Sequence, residues 1–110
     1  MPHRVEFTKP GSPSTIRIAE MPMPEPKSGE VRVKVAFAGI NFADLLMRLG
    51  FYQPRPPYPF TPGYEISGVI DAVGDDETGL TVGQRVVAAM STGGQASHVV
   101  VDQNRVLLLP

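Results

Sequence analysis

The 110-residue sequence contains no cysteine, and its only histidines, His3 and His98, stand far apart along the chain. Zinc sites draw on thiolate and imidazole ligands in most cases, so neither a structural nor a catalytic zinc is expected. The same shortage removes Cys–His and Ser–His–Asp arrangements, because no nucleophile stands beside a credible base. Charge of one sign is scarce as well. Ten basic and eleven acidic residues leave a net charge of −1. No block of like charge marks an electrostatic footprint for nucleic acid or anionic lipid. No stretch approaches the roughly 18–20 apolar residues that span a bilayer, and the N-terminal MPHRVEFTKPG lacks the apolar run of a signal peptide. A cytoplasmic chain without a transmembrane segment is the expectation. The eleven glycines never stand two apart, so a G-x-G-x-x-G turn, the helix-terminus cradle for a dinucleotide pyrophosphate, is excluded from these residues.

What is present reads as one β-rich unit. The hydrophobic fraction is 42%, ordinary for a globular chain, and the glycines and twelve prolines are scattered rather than clustered. Scattered turn formers between short apolar alternations point to many short strands. RVEFTK (4–9) and STIRIAEMP (14–22) alternate Val5/Phe7 and Ile16/Ile18 with polar neighbours, the period of half-buried strands. MPMPEPKSG (21–29) is a proline-stiffened connector. EVRVKVAFAG (30–39) places Val31, Val33, Val35 and Phe37 on one face, with Arg32 and Lys34 on the other. Further strands are expected at 63–74, 84–90, 94–103 and 105–110. The chain is therefore expected to be mainly β with one or two short helices, in a mostly antiparallel, partly open barrel.

The period changes at NFADLLMRLG. Phe42, Leu45, Leu46 and Leu49 fall at i, i+3, i+4 and i+7, one helical stripe. Asn41 is a strong N-cap, Asp44 sits in the first turn where negative charge is favoured, and Gly50 can close the C-terminus. A proline-laden loop follows, ending on Pro62–Gly63 and on Glu65, a lone carboxylate within an apolar strand. A carboxylate facing a barrel interior needs a partner, so Glu65 is expected to pin a neighbouring backbone or basic group. Prolines stiffen the loop and lower the entropy of the unfolded chain.

The order strand, GINFADLLMRLGFY, proline loop, PFTPGYEISGVIDAVG, then VGQRVVA and GGQASHVVV resembles the N-terminal GroES-like (chaperonin-10-like) catalytic domain of medium-chain dehydrogenases/reductases. Within that superfamily it looks most like the zinc-independent quinone oxidoreductases and their vesicle-membrane-protein relatives. The resemblance covers nearly the whole chain and makes residues 1–110 a GroES-like catalytic domain, incomplete because the family's dinucleotide-binding domain is absent. Zinc-dependent members carry a cysteine ligand where this chain has Asn41 and a histidine where it has Tyr64, in keeping with the absence of zinc. The resemblance implies NADPH-dependent reduction of a quinone or an enone-type carbonyl compound, with hydride chemistry belonging to the nicotinamide. It places Asn41 beside the nicotinamide, compatibly with a capping role, and Tyr52 at the cleft wall for cofactor or substrate, the one residue with a catalytic expectation. Asp44 and Glu65 are expected to support that site from behind. Without the remaining domain the chain is expected to be inactive and to self-associate, as a homodimer or otherwise, through uncovered strand edges and apolar surface. Two alternatives stand beside this reading: a non-catalytic GroES-like binding module, or a vesicle-protein-like relative that binds partners.

Overall fold

The computed structural model describes residues 1–51, 56–75 and 79–110. Seven strands and one helix occur among them: β1 (His3–Phe7), β2 (Ile16–Glu20), β3 (Glu30–Ala38), α1 (Phe42–Leu49), β4 (Glu65–Val73), β5 (Arg85–Ala89), β6 (His98–Asp102) and β7 (Val106–Leu108). Single 3-10 turns precede β2 and β7, at Pro13–Thr15 and Gln103–Arg105. β1 and β2 form an antiparallel hairpin, and the other five strands form one antiparallel sheet in the order β6-β3-β4-β5-β7. This curled sheet is a half-barrel, the partly open architecture expected from the pattern of short strands.

Alternation within the strands builds the core. Val31, Val33, Ile66, Ile70, Val86, Ala88, Val99 and Val101 all point to the inside and are buried. The stripe does not run the full length of β3. A register shift between Val35 and Phe37 sets Phe37 opposite Ser67, whereas Val35 lies opposite Gly68. One inserted residue reverses side-chain parity, so Phe37 leaves the inner face and is 76% exposed. Close strand approach requires Gly68, where a Cβ would lie 2.2 Å from the Lys34 carbonyl oxygen. In β2 the expected half-buried face is also absent: Ile16 and Ile18 are exposed. β1, not β2, is the strand bonded to the rest of the chain, through Val5 to Gln95 and Phe7 to Phe60, so the hairpin's buried residues are Glu6 and Phe7 of β1.

A second, smaller core holds the helix. Phe7, Met47 and Phe60 are buried together, with Val5, Tyr58 and Tyr64 packed around them. Phe7 and Phe60 meet edge-to-face at 5.6 Å. Their backbones also exchange hydrogen bonds, Phe7 N–H to Phe60 O at 2.8 Å and Phe60 N–H to Phe7 O at 3.2 Å. The residues leading into β4 are thereby stitched to β1. No helix among the described residues is long and apolar enough to cross a membrane.

Candidate functional site

The helix is set by its own ends. Asn41 has an extended backbone, and its N–H donates to Asp44 Oδ2 at 2.9 Å. The Asp44 N–H donates to the Asn41 carbonyl at 3.0 Å. At the far end Gly50 adopts φ 86°, and the Phe51 N–H returns to Leu46 O at 2.9 Å. A left-handed residue of this kind is glycine's usual place at a helix C-terminus. The expected boundaries are thus the observed ones.

The buried face of α1 differs from the expected one. Phe42 is 72% exposed and Leu45 is 39% exposed, while Asp44 and Met47 are buried. Only the turn carrying Met47 reaches the Phe7–Phe60 cluster, so the Phe42–Leu45 stripe is left facing solvent. Burial of Asp44 makes it more than a first-turn charge. Its Oδ1 has no hydrogen-bond partner among the described residues, and neither does the buried Nδ2 of Asn41 nor Nε of Arg48. Positions 41, 44 and 48 share one helix face. A buried polar atom without a partner is uncommon and calls for one. The orphaned donor of Asn41 lies at the positive end of the helix, where acceptor atoms are favoured.

The segment before β4 is gripped by the loop before β6. Thr61 O accepts from Thr92 Oγ1 at 2.6 Å and from the Gly93 N–H at 2.8 Å. The Gln95 N–H donates to Pro62 O at 2.9 Å, and the Met90 N–H to Tyr64 O at 2.8 Å. The two chains cross at Gly63, whose φ is +121° and where a Cβ would lie 2.7 Å from the Gln95 nitrogen. Such a φ favours glycine. Tyr64 is fixed by this crossing and rests against the Met47 cluster. Tyr58, which carried no expectation from sequence, donates from its hydroxyl to the Met47 carbonyl and so ties the proline loop to the last turn of α1. Its place two residues before Phe60 gave no periodic signal. Tyr52 lies outside the described residues.

Glu65 does not face the interior. It is exposed, and among the described residues its carboxylate has no hydrogen bond or ion pair. Ile66, Gly68 and Ile70 take the inner face of β4, and alternation sends Glu65 outward. Its side chain instead packs over Gly39, where a Cβ would lie 2.3 Å from Glu65 Oε1. It lines an apolar cleft of about 410 Å³ with Phe37, Val87, Arg105 and Leu107. A second cleft of about 370 Å³ lies between the hairpin and β3, lined by Val5, Ile18, Val35 and Ile40. Neither of these two clefts is lined by Asn41 or Asp44. The helix thus brings Asn41 and Asp44 together, and Glu65 belongs to a separate surface. No group of three or more histidine, cysteine, aspartate or glutamate side chains that could hold a metal occurs among the described residues.

Comparison with known proteins gives a consistent context. Residues 27–110 match the family model described as the alcohol dehydrogenase GroES-like domain. The chain is 46% identical over 87 residues to the synaptic vesicle membrane protein VAT-1 homolog of Danio rerio, covering 79% of this chain and 18% of that protein. The solved structure of human synaptic vesicle membrane protein VAT-1 homolog-like protein superposes with a TM-score of 0.94 at 33% identity, over 100% of this chain and 36% of the other. The quinone oxidoreductase of Thermus thermophilus, solved also in complex with NADPH, superposes with a TM-score of 0.80 at 36% identity, over 98% of this chain and 32% of the other. The chain therefore spans roughly a third or less of the length of these relatives.

Proposed function

The chain belongs to the alcohol dehydrogenase GroES-like domain family, within the quinone oxidoreductase and VAT-1 branch of the medium-chain dehydrogenases/reductases. From that premise we propose that it is the nicotinamide- and substrate-facing domain of a zinc-independent, NADPH-dependent quinone or enone reductase. The observation that carries this reading is Asn41, a helix cap whose amide nitrogen is buried without a partner among the described residues. A nicotinamide carboxamide offers an acceptor oxygen, which fits an orphaned donor at the positive end of α1.

NADPH, when bound, would supply the hydride. The chain's own residues position and exclude. Asn41 would hold the nicotinamide edge, and Asp44, bonded to the Asn41 N–H, would fix the cap from behind. The crossing at Gly63 holds Tyr64 rigidly where zinc-dependent relatives have a metal ligand, giving an aromatic wall that offers no imidazole. Tyr52 is assigned to the cleft wall by resemblance alone. Glu65 lies on a separate surface, and the role proposed for it is limited to its packing on Gly39, two residues before Asn41. The pyrophosphate would be held by a dinucleotide-binding domain, since these residues hold no G-x-G-x-x-G. This reading also makes the protein cytoplasmic.

The test is a chimera in which this chain replaces the matching segment of the Thermus quinone oxidoreductase. NADPH-dependent quinone reduction is expected, and Asn41→Ala should lower kcat/KM by roughly 10–100-fold, equivalent to about 1.4–2.8 kcal/mol. Its stability cost should be smaller, about 1 kcal/mol for a lost cap. A folded chimera that binds NADPH without reducing quinones would favour the second reading, a non-catalytic VAT-1-like module. The near-complete superposition on the human VAT-1 homolog-like protein keeps that reading in view.

A further inference from the structure

We propose that Ser97 is an activated nucleophile, with His98 as its base and Asp71 behind the imidazole, and that it accepts the acyl group of small apolar esters. The activity is separate from hydride transfer. Ser97 and His98 are neighbours in the sequence, and the third member of the set comes from β4, out of reach of any sequence spacing. Ser97 Oγ lies 2.9 Å from His98 Nδ1, and His98 Nε2 lies 3.6 Å from Asp71 Oδ2. The second distance is longer than a hydrogen bond, as catalytic contacts without substrate often are. Asp71 is itself held: its Oδ1 accepts from Arg32 Nε at 2.7 Å, and Arg32 Nη1 donates to Pro24 O at 3.1 Å. A carboxylate facing Nε2 selects the tautomer with its proton there, which leaves the Nδ1 lone pair toward the serine hydroxyl. The imidazole is 14% exposed, so water competes little for either nitrogen.

The nucleophile is held in place and opens onto a cleft. Ser97 stands just before β6, and its backbone is gripped from two sides: its N–H donates to His3 O at 2.8 Å, and its carbonyl accepts from the Val35 N–H at 2.9 Å. The His3 N–H also donates to Ser97 Oγ at 3.0 Å. That donor leaves the hydroxyl proton for His98 and steadies negative charge on the oxygen as the proton departs. Ser97 lines the cleft of about 370 Å³ between the hairpin and β3, beside Val5, Ile18 and Val35 and the polar Arg4 and Gln95. The volume falls in the range of small-molecule sites. Its apolar wall suits a hydrocarbon acyl chain, and Arg4 and Gln95 are donors of the kind that stabilise an oxyanion. Ser97 Oγ attacks the ester carbonyl, and its proton passes to His98 Nδ1. The bond from the acyl carbon to the alcohol oxygen then breaks, and the proton moves to that leaving oxygen. Water next adds to the acyl-serine, giving up its proton to His98, which returns it to Ser97 as the carboxylic acid leaves.

Labelling of the 110-residue chain with an alkyl fluorophosphonate, followed by peptide mapping, tests the assignment. One adduct is expected, at Ser97, formed as the serine oxygen displaces fluoride from phosphorus and the proton leaves through His98. The ester p-nitrophenyl butyrate should be hydrolysed through a butyryl group on the same serine. Ser97→Ala should lose both reactions, and His98→Gln should slow labelling at least about 100-fold. Asp71→Asn should lower the maximal labelling rate about tenfold or more while the half-saturating reagent concentration stays unchanged, a split that loosened packing does not produce. The decisive reading is made on the unaltered chain, so a variant that fails to fold cannot hide a failure of the proposal. An unlabelled Ser97, labelling spread over other residues, or a folded His98→Gln chain labelled as fast as the unaltered one would each overturn it.

Discussion

Glu6 shows how one buried residue can fix a pH dependence for the whole chain. It is 5% exposed and accepts from Arg17 Nε at 2.7 Å and Arg4 Nε at 3.0 Å. The hydrogen bond from Arg17 is the main influence holding its pKa below 4.5; burial opposes it, and the bond from Arg4 and the charges of both arginines assist. The folded chain therefore keeps Glu6 ionised where the unfolded chain has already bound a proton. That contribution is complete above the ordinary carboxylate pKa and is lost as pH falls through the lowered one. The arginine side chains are 41% and 58% exposed, and solvent screening limits the gain to about 1 kcal/mol. Glu6→Gln should lower the melting temperature at neutral pH, and the gap from the unaltered chain should narrow below about pH 4. A gap that widens with acidification would contradict the sign. Sequence placed Glu6 on the polar side of β1, and only the pairing with β2, which sets Glu6 opposite Arg17, shows why it is buried.

At the scale of elements, helix α1 was legible in its ends but not in its orientation. Asn41, Asp44 and Gly50 act through groups within a few residues of themselves, so their positions suffice to bound the helix. Which face is buried depends on what lies opposite. The sequence favours the Phe42–Leu45–Leu46–Leu49 stripe, yet among the helix residues the second core takes in only Met47. The consequence is an inversion of the usual expectation for substitutions. Met47→Ala should cost about 2–5 kcal/mol, the range for emptying a packed site. Phe42→Ser, measured at low protein concentration, should stay within about 0.5 kcal/mol, as for other exposed positions. Urea denaturation of the two variants checks this, and equal losses would mean that the stripe is covered in solution. β3 repeats the lesson: its alternation held through Val35, and the register shift between Val35 and Phe37 carried the last aromatic residue to the outer face.

At the scale of the whole molecule, the question is how much of a cofactor site 110 residues can supply. The groups around α1 offer a few hydrogen bonds, each worth roughly 0.5–1.5 kcal/mol net. These do not offset an association cost of about 4 kcal/mol or more. Calorimetric titration of this chain with NADPH should therefore show binding no tighter than about millimolar, and parallel assays should show no quinone turnover. Micromolar binding would place the cofactor site within these residues and refute the division of labour proposed for them.

Composition and local order by themselves determined the strand-rich class, the helix with its caps, the lack of a thiol or imidazole cluster, and the family resemblance. These properties depend on periodicity and on neighbours a few residues away. Tertiary structure alone decided that Glu65 faces outward over Gly39, that Asp44 and Met47 rather than Phe42 are buried, that Tyr58 ties the proline loop to α1, and that Phe37, Val87 and Leu107 form one row. Each of these follows from register and from contacts between segments distant in sequence. A strand's alternation says that its two faces differ, but only its partners decide which face is turned inward.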